Sequence, residues 1–146
     1  MGRINWKRVI LGGLLAGVVI NIFEAVSGII YMEEMTAVLE RHSLSMSASG
    51  GAMLLYLGLG FLFGIVGVWI YAAIRPRFGP GPKTAFRAVI VVWLFYFGSI
   101  LGWSSIGLYS TWMLGMWTVV GFLETTVGLM LGAWVYKEEE APPASS

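Results

Sequence analysis

Cysteine is absent from this chain of 146 residues, and histidine occurs once, at position 42. Without a thiol the protein forms no disulfide, iron–sulfur cluster or zinc–thiolate site, and it has no cysteine nucleophile. A single histidine, His42, also argues against a haem or metal ion held by histidines of this chain alone. We therefore expect no cofactor and no metal site.

Charged residues are also scarce. They make up 12% of the chain, against about 25% in an average soluble domain, while hydrophobic residues make up 58%. This small number of polar groups cannot cover a surface that faces water. The composition is therefore typical of membrane proteins, and we expect the chain to lie in a lipid bilayer. A net charge of +1 provides no basic field for nucleic acid, and we expect no nucleic-acid partner.

Four apolar runs are each long enough to cross a bilayer, which takes about 20 helical residues. They cover about residues 9–32, 52–74, 84–103 and 112–136, inside a single membrane domain of residues 1–140. Prolines after residue 75 are expected to stop the second span, and Thr84 to cap the third. Residues 141–146 are predicted to be a disordered tail. The predicted fold is an all-α polytopic membrane protein with four transmembrane helices in an antiparallel bundle.

The only long polar connection follows the first span. In residues 33–41, Met35, Val38 and Leu39 lie three and four positions apart, which places them on one helix face. This pattern predicts a short amphipathic helix on the membrane surface, in the first outer loop.

Lysine and arginine are distributed unevenly between the two sides. Of the nine, eight lie in the N-terminal segment, around the turn between the second and third spans, or at the C-terminus, and only Arg41 lies on the other side. The positive-inside rule therefore predicts that both termini are cytoplasmic.

Every span carries small residues three or four positions apart, which allows a neighbouring helix to approach closely. The predicted helix-packing glycines are Gly13, Gly17 and Gly28 in the first span, Gly60, Gly64 and Gly67 in the second, Gly98 and Gly102 in the third, and Gly121, Gly128 and Gly132 in the fourth.

Two of these glycine-rich faces carry a glutamate, Glu24 or Glu124. At 1.5 Å per residue they lie ~22 Å and ~18 Å from the cytoplasmic ends of their spans, so both are near the middle of the bilayer. An acid at that depth costs free energy, and no lysine, arginine or histidine lies in the core of the bilayer to pair with either one. One interpretation is a proton or cation site, with Asn21 and Thr125 as hydrogen-bonding neighbours. The alternatives are a protonated glutamate that joins two helices, or contact with a polar group on a partner subunit.

Residues 5–17, NWKRVILGGLLAG, resemble the start of small four-helix inner-membrane proteins of bacteria, a group with no assigned activity. The resemblance implies a location in a bacterial inner membrane. No pattern typical of a catalytic site occurs, so we do not expect an enzyme. The leading functional hypothesis is a small accessory subunit of a larger membrane assembly, with a protein partner. The alternative is a proton- or cation-coupled transporter or channel that works as a homo-oligomer through Glu24 and Glu124.

Overall fold

The computed structural model describes residues 4–45 and 49–138 of the chain. These residues form helices α1 (Trp6–Arg41), α2 (Gly50–Phe78), α3 (Pro82–Ile106) and α4 (Thr111–Val135). All four are long and apolar enough to cross a membrane, which confirms the predicted all-α fold with four such helices. The tail predicted at residues 141–146 lies outside the described part of the chain.

Side-chain caps begin three of the helices. The side chains of Asn5, Ser49 and Ser110 accept hydrogen bonds from the backbone N–H groups three residues later, at the starts of α1, α2 and α4. A serine, threonine or asparagine in this position satisfies one of the N–H groups that the first helical turn leaves free. Each of these helices therefore begins where the local sequence provides a cap.

Helix α3 begins differently from the prediction. Thr84 is not its N-cap, because the helix starts two residues earlier at Pro82 and Gly81 occupies the cap position with φ of 124°. Proline fits the first helical turn because its fixed φ is helical and its missing N–H would have no partner there. The hydroxyl of Thr84 instead donates to the carbonyl of Phe78, 3.3 Å away, across the α2–α3 turn.

The predicted surface helix in the first outer loop is wrong. Residues 33–41 are the last turns of α1, which runs without interruption for 36 residues. No glycine or proline lies between Gly28 and Arg41, so nothing in the sequence forces the backbone to turn. At 1.5 Å per residue α1 is ~54 Å long, well beyond a ~30 Å hydrocarbon core.

Helix α2 also extends further than predicted. Pro76 lies inside it, and the helix ends at Phe78. A proline in the last turn removes a single hydrogen bond, to the carbonyl four residues before it, and does not force the helix to stop there. The chain leaves the helix at Gly79, which has φ of 79° and donates its N–H to the carbonyl of Arg75.

The four helices are arranged so that α1 packs between α2 and α4, and α3 packs against the same two helices on another side. Among the described residues, no Cα atom of α1 lies within 8 Å of one in α3. Residues of α1 and α2 meet in reverse order, with Gly13 beside Ile65 and Gly17 beside Phe61.

Most buried apolar side chains lie toward one end of the molecule, near Asn5, the α2–α3 turn and Tyr136. We call this the closed end. Its core consists of Val9, Ala16, Val68, Tyr71, Ala72, Ala85, Ala88, Val89, Val92, Leu129, Ala133 and Tyr136. At the other end, residues 53–59 of α2 and 101–107 at the end of α3 are all exposed. We call this the open end, because these parts of α2 and α3 are uncovered there, although Val38 of α1 and Met113 of α4 are buried.

Two tyrosines join the chain segments at the closed end. The hydroxyl of Tyr136 accepts from the backbone N–H of Asn5 at 3.4 Å, and that of Tyr71 accepts from the N–H of Gly81 at 3.3 Å. The two rings are packed edge to face, with centroids 5.9 Å apart. The start of α1, the α2–α3 turn and the end of α4 are thereby held together.

An arginine completes this contact. Arg75 Nη1 lies 3.0 Å from Glu138 Oε1, and the guanidinium lies 5.6 Å from the centre of the Tyr136 ring. Nη1 makes no well-aligned hydrogen bond, so charge and the ring face hold the group in place.

Candidate functional site

Helices α1 and α2 approach so closely that side chains larger than hydrogen do not fit between them. A methyl group at Gly13 would lie 2.5 Å from the Cα of Ile65, and one at Gly17 would lie 2.7 Å from the Cα of Phe61. A methyl group at Gly64 would lie 2.6 Å from the backbone nitrogen of Gly17. This contact fixes the position of α1 against α2, and α1 carries Glu24 two turns after Gly17.

The contact between α1 and α4 is equally close. A methyl group at Gly132 would lie 2.6 Å from the carbonyl oxygen of Gly12, and one at Gly128 would lie 3.1 Å from that of Ala16. Sequence analysis missed Gly12, although its spacing of four from Ala16 was a signal for it. These pairs bring the middle of α1 level with Glu124 of α4.

The remaining predicted packing glycines divide into two groups. Gly60, Gly67 and Gly121 lie against the side chains of Asn21, Leu129 and Tyr96, respectively. In contrast, a methyl group at Gly28, Gly98 or Gly102 would meet no atom within 4 Å. Those three glycines therefore do not pack against another helix of this chain.

Glu124 lies inside the molecule. Only 5% of its surface is exposed, and its Oε2 atom is buried without a hydrogen-bond partner among the described residues. A buried polar atom without a partner is unfavourable, because it has lost water and gained nothing in return. Such an atom is a reason to look for a function at this position.

Glu24, in contrast, is on the exposed side of α1. Its Oε2 atom accepts a hydrogen bond of 3.3 Å from the hydroxyl of Tyr31, two helical turns further along. Despite the difference in exposure, Glu24 and Glu124 are close enough for their charges to interact. The packing of α1 on α4 therefore brings the two predicted carboxyl groups within electrostatic range, without a hydrogen bond between them.

Two tyrosines belong to the same group. Tyr31 and Tyr96 both interact electrostatically with Glu24 and with Glu124. The ring of Tyr96, from α3, lies against the backbone of Gly121, one turn before Glu124. We call these four residues the carboxyl–tyrosine cluster, and three helices contribute to it.

Sequence analysis did not select either tyrosine. Tyr31 follows Glu24 by seven residues, a spacing that places both on one helix face and was a usable signal. Tyr96 is on a different helix, so only the packing of α3 on α4 brings it to the cluster.

The other two predicted site residues bond to backbone. Asn21 donates to the carbonyl of Gly17 at 2.8 Å and to that of Leu57, on α2, at 3.3 Å. Thr125 is buried and donates to the carbonyl of Gly121 at 2.6 Å. Asn21 therefore joins α1 to α2, and the hydroxyl of Thr125 has its partner within α4.

The cluster combines two carboxyl groups with two tyrosine hydroxyls, and in the described part of the chain neither glutamate forms an ion pair with a lysine or arginine. Two ionised carboxylates removed from water repel each other, so a proton or another cation stabilises the pair. Within residues 4–45 and 49–138, no three acidic or histidine side chains are placed to hold a metal ion together.

Comparison of the chain with protein-family models, with curated proteins and with solved structures finds no match in any of the three.

Proposed function

We propose that this chain is an integral protein of a bacterial inner membrane, with four antiparallel spans and both termini in the cytoplasm. Large apolar side chains are exposed on all four helices, for example Ile29, Tyr56, Phe95 and Trp134, each at 76–80%. Exposure of this kind suits contact with lipid chains. The excess of lysine and arginine at the closed end supports a cytoplasmic location for that end.

Within the membrane, we propose that the protein is a small proton- or cation-coupled transporter that works through Glu24 and Glu124. The observation that carries this proposal is the buried, unpartnered Oε2 atom of Glu124 close to a second carboxyl group. Ionisable groups inside a membrane typically mark the path of a proton or an ion. The pair would hold either a proton or a cation, and exchange between them would couple the two movements.

The exposure of Glu24 favours a homo-oligomer as the working form of this transporter. Glu24 is exposed in the single chain, and an exposed carboxyl at the depth of a bilayer is unfavourable. A second copy would cover it and would keep the exchange of ions away from lipid.

The test is ion-coupled proton movement in liposomes. Purified protein is reconstituted with a pH-sensitive dye inside the vesicles, and gradients of sodium or potassium are applied in turn. We expect proton flux in the wild type and a loss of at least tenfold in Glu24→Gln and Glu124→Gln, because an amide binds neither a proton nor a cation in this way. Glu40→Gln is the matched control, since Glu40 is exposed at the far end of α1 and should retain full flux. Wild-type flux in both cluster variants would contradict the proposal.

A second candidate function is an accessory subunit of a larger membrane assembly. It is favoured by residues 53–59 of α2, which are exposed all round the helix and so contact little of this chain. Purification from native membranes in a mild detergent would then yield another protein in fixed proportion. Gly98→Leu, at a glycine with no atom nearby, would break such an assembly without disturbing the chain itself. Recovery of only this chain, as a homo-oligomer, would exclude the second candidate.

A further inference from the structure

Four aromatic rings form a continuous line at the open end. Trp103 and Tyr109 have ring centroids 5.8 Å apart, Tyr109 and Trp117 are 4.8 Å apart, and Trp117 and Tyr31 are 6.1 Å apart. We call this line the aromatic row. It begins beside the α3–α4 loop, where Trp103 is exposed, and ends at Tyr31, whose hydroxyl bonds to Glu24. The row thus connects the surface of the open end with the carboxyl–tyrosine cluster.

A shallow groove of about 430 Å³ lies at the same end. It is lined by Ile30, Glu33, Glu34, Ala37 and Trp112. Its two carboxylates lie one helical turn or less beyond Tyr31 on α1, and Trp112 lies about a turn and a half before Trp117 on α4. Acidic and aromatic side chains therefore occur together both at the surface and in the interior.

We propose that the ligand of the cluster is an organic cation, an amine or ammonium group that carries apolar substituents, and that it reaches Glu24 along the aromatic row from the open end. This inference rests on the proposed function and specifies its ligand. The faces of aromatic rings attract cations, most strongly cations that have little water to lose. A small inorganic ion instead needs several oxygen ligands to replace its hydration shell, whereas the aromatic row consists mainly of ring carbons.

Glu124 provides the end point for this route. Its buried Oε2 atom has no hydrogen-bond partner among the described residues and Glu24 lies within electrostatic range, so the ligand would balance one of the two carboxylate charges, as a proton does in the free protein. The apolar substituents would contact Tyr31, Tyr96 and Trp117. In the free protein the pair holds a proton, and a monovalent cation that binds there displaces one proton to solution, so the charge of the site is unchanged.

Benzyltrimethylammonium is a suitable probe, because its uncharged carbon analogue, neopentylbenzene, has nearly the same shape. Binding to the purified full chain in detergent is measured by calorimetry, and proton release is measured in weak buffer. We expect the cation to bind and to release about one proton per site, neopentylbenzene to release none, and sodium to compete only at concentrations far above that of the organic cation. Glu24→Gln and Glu124→Gln should abolish proton release.

The aromatic row is tested separately. Trp117→Leu should weaken binding of the cation at least tenfold, whereas Trp117→Phe, which keeps a ring, should retain most of the affinity. Trp134→Leu is the matched control, since Trp134 is 80% exposed at the other end of α4 and should bind as the wild type does. Trp117→Leu and Trp117→Phe both replace the indole, but only Trp117→Leu removes the aromatic ring. Loss of cation affinity in Trp117→Leu alone therefore reports loss of the ring and not a general loss of folding.

Failure of this inference is distinguishable from failure of the proposed function. If sodium or potassium drives proton flux that depends on Glu24 and Glu124, but benzyltrimethylammonium does not bind, the ligand class is overturned and the transporter proposal stands. Binding that is unaffected by Trp117→Leu also overturns the route. If neither the organic cation nor the inorganic ions move protons, both proposals fail.

Discussion

At the scale of single residues, close backbone contact depends on the absence of a side chain. Gly12, Gly13, Gly17 and Gly64 bring main-chain atoms of neighbouring helices within a distance that no Cβ atom tolerates. Such contacts allow dispersion forces to act over long stretches of backbone, which matters most where lipid offers apolar contact everywhere. The glycines therefore hold α1 in the register that brings Glu24 toward Glu124.

Substitution at one of these glycines tests that account. Gly13→Ala places a methyl group 2.5 Å from the Cα of Ile65, so α1 and α2 must separate. Overpacking of this kind lowers the free energy of unfolding by about 1–3 kcal/mol. Denaturation in detergent, followed by circular dichroism, measures the change. Gly28→Ala is the control, because that position faces open space, and a loss of stability equal to that of Gly13→Ala would contradict the packing.

At the scale of the helices, the ends determine which surfaces can meet. Helix α3 ends at Ile106 and is followed by Gly107, whose φ of 70° is in the left-handed region, and Ser110 caps α4 three residues later. The short connection turns the chain back directly, so Tyr109 within it packs against Trp103 in the last turn of α3. A glycine in this position has little strain, because it has no Cβ to meet the following carbonyl.

Gly107→Ala should therefore destabilise the protein. A left-handed conformation costs a residue with a Cβ about 1–2 kcal/mol. Gly102→Ala, five residues earlier in a regular helical position with open space around it, should be neutral or slightly stabilising. Thermal unfolding of both variants in the same detergent gives the comparison. Equal effects of the two substitutions would mean that the cap conformation is unimportant.

At the scale of the whole molecule, the two ends differ. The closed end combines most of the apolar core with the contacts of Tyr71, Tyr136 and Arg75, while the open end exposes much of α2 and α3. The carboxyl–tyrosine cluster lies between these two regions, with Glu124 buried and Glu24 exposed. The core of the closed end covers one side of the cluster, and the route that we propose along the aromatic row begins at the open end.

Orientation in the membrane decides which compartment the open end faces. The natural absence of cysteine allows single cysteines to be introduced without background labelling. In spheroplasts, Ser45→Cys beyond α1 should react with a membrane-impermeant maleimide, whereas Pro80→Cys in the α2–α3 turn should react only after the membrane is permeabilised. Both positions are exposed and uncharged, so neither change disturbs the distribution of lysine and arginine. The reverse labelling pattern would place the open end in the cytoplasm.

Much of the helical structure could be predicted from local sequence. Runs of apolar residues interrupted by turn residues predicted four long helices, because a helix satisfies its own backbone hydrogen bonds and so depends on its own segment. The exact ends of the helices were predicted less well, because a proline or a polar residue near an end does not by itself stop a helix. Pro76 removes one hydrogen bond and leaves the last turn in place, Pro82 starts α3 before Thr84, and residues 33–41 continue α1 because no residue there breaks a helix.

The cluster was only partly predictable. Glu24 and Glu124 stood out by themselves because an acid in an apolar run is unusual, and Asn21 and Thr125 stood out because they were polar neighbours in the sequence. Which side chains meet depends on helix rotation and register, and these depend on contacts between segments far apart in the chain. Those contacts give Asn21 a partner on α2, bring Tyr96 of α3 beside Gly121, and leave Gly28, Gly98 and Gly102 without neighbours.

By itself, the sequence determined that the chain is apolar, forms four long helices and carries two acids within them, since each of these properties belongs to a single segment. Only the tertiary structure decided that Glu124 is buried without a hydrogen-bond partner, that Glu24 is close to it, and that a row of aromatic rings leads there. The physical reason is that burial and proximity are properties of packed surfaces, and the glycine contacts of α1 with α2 and α4 select one packing among many that the same four helices would allow.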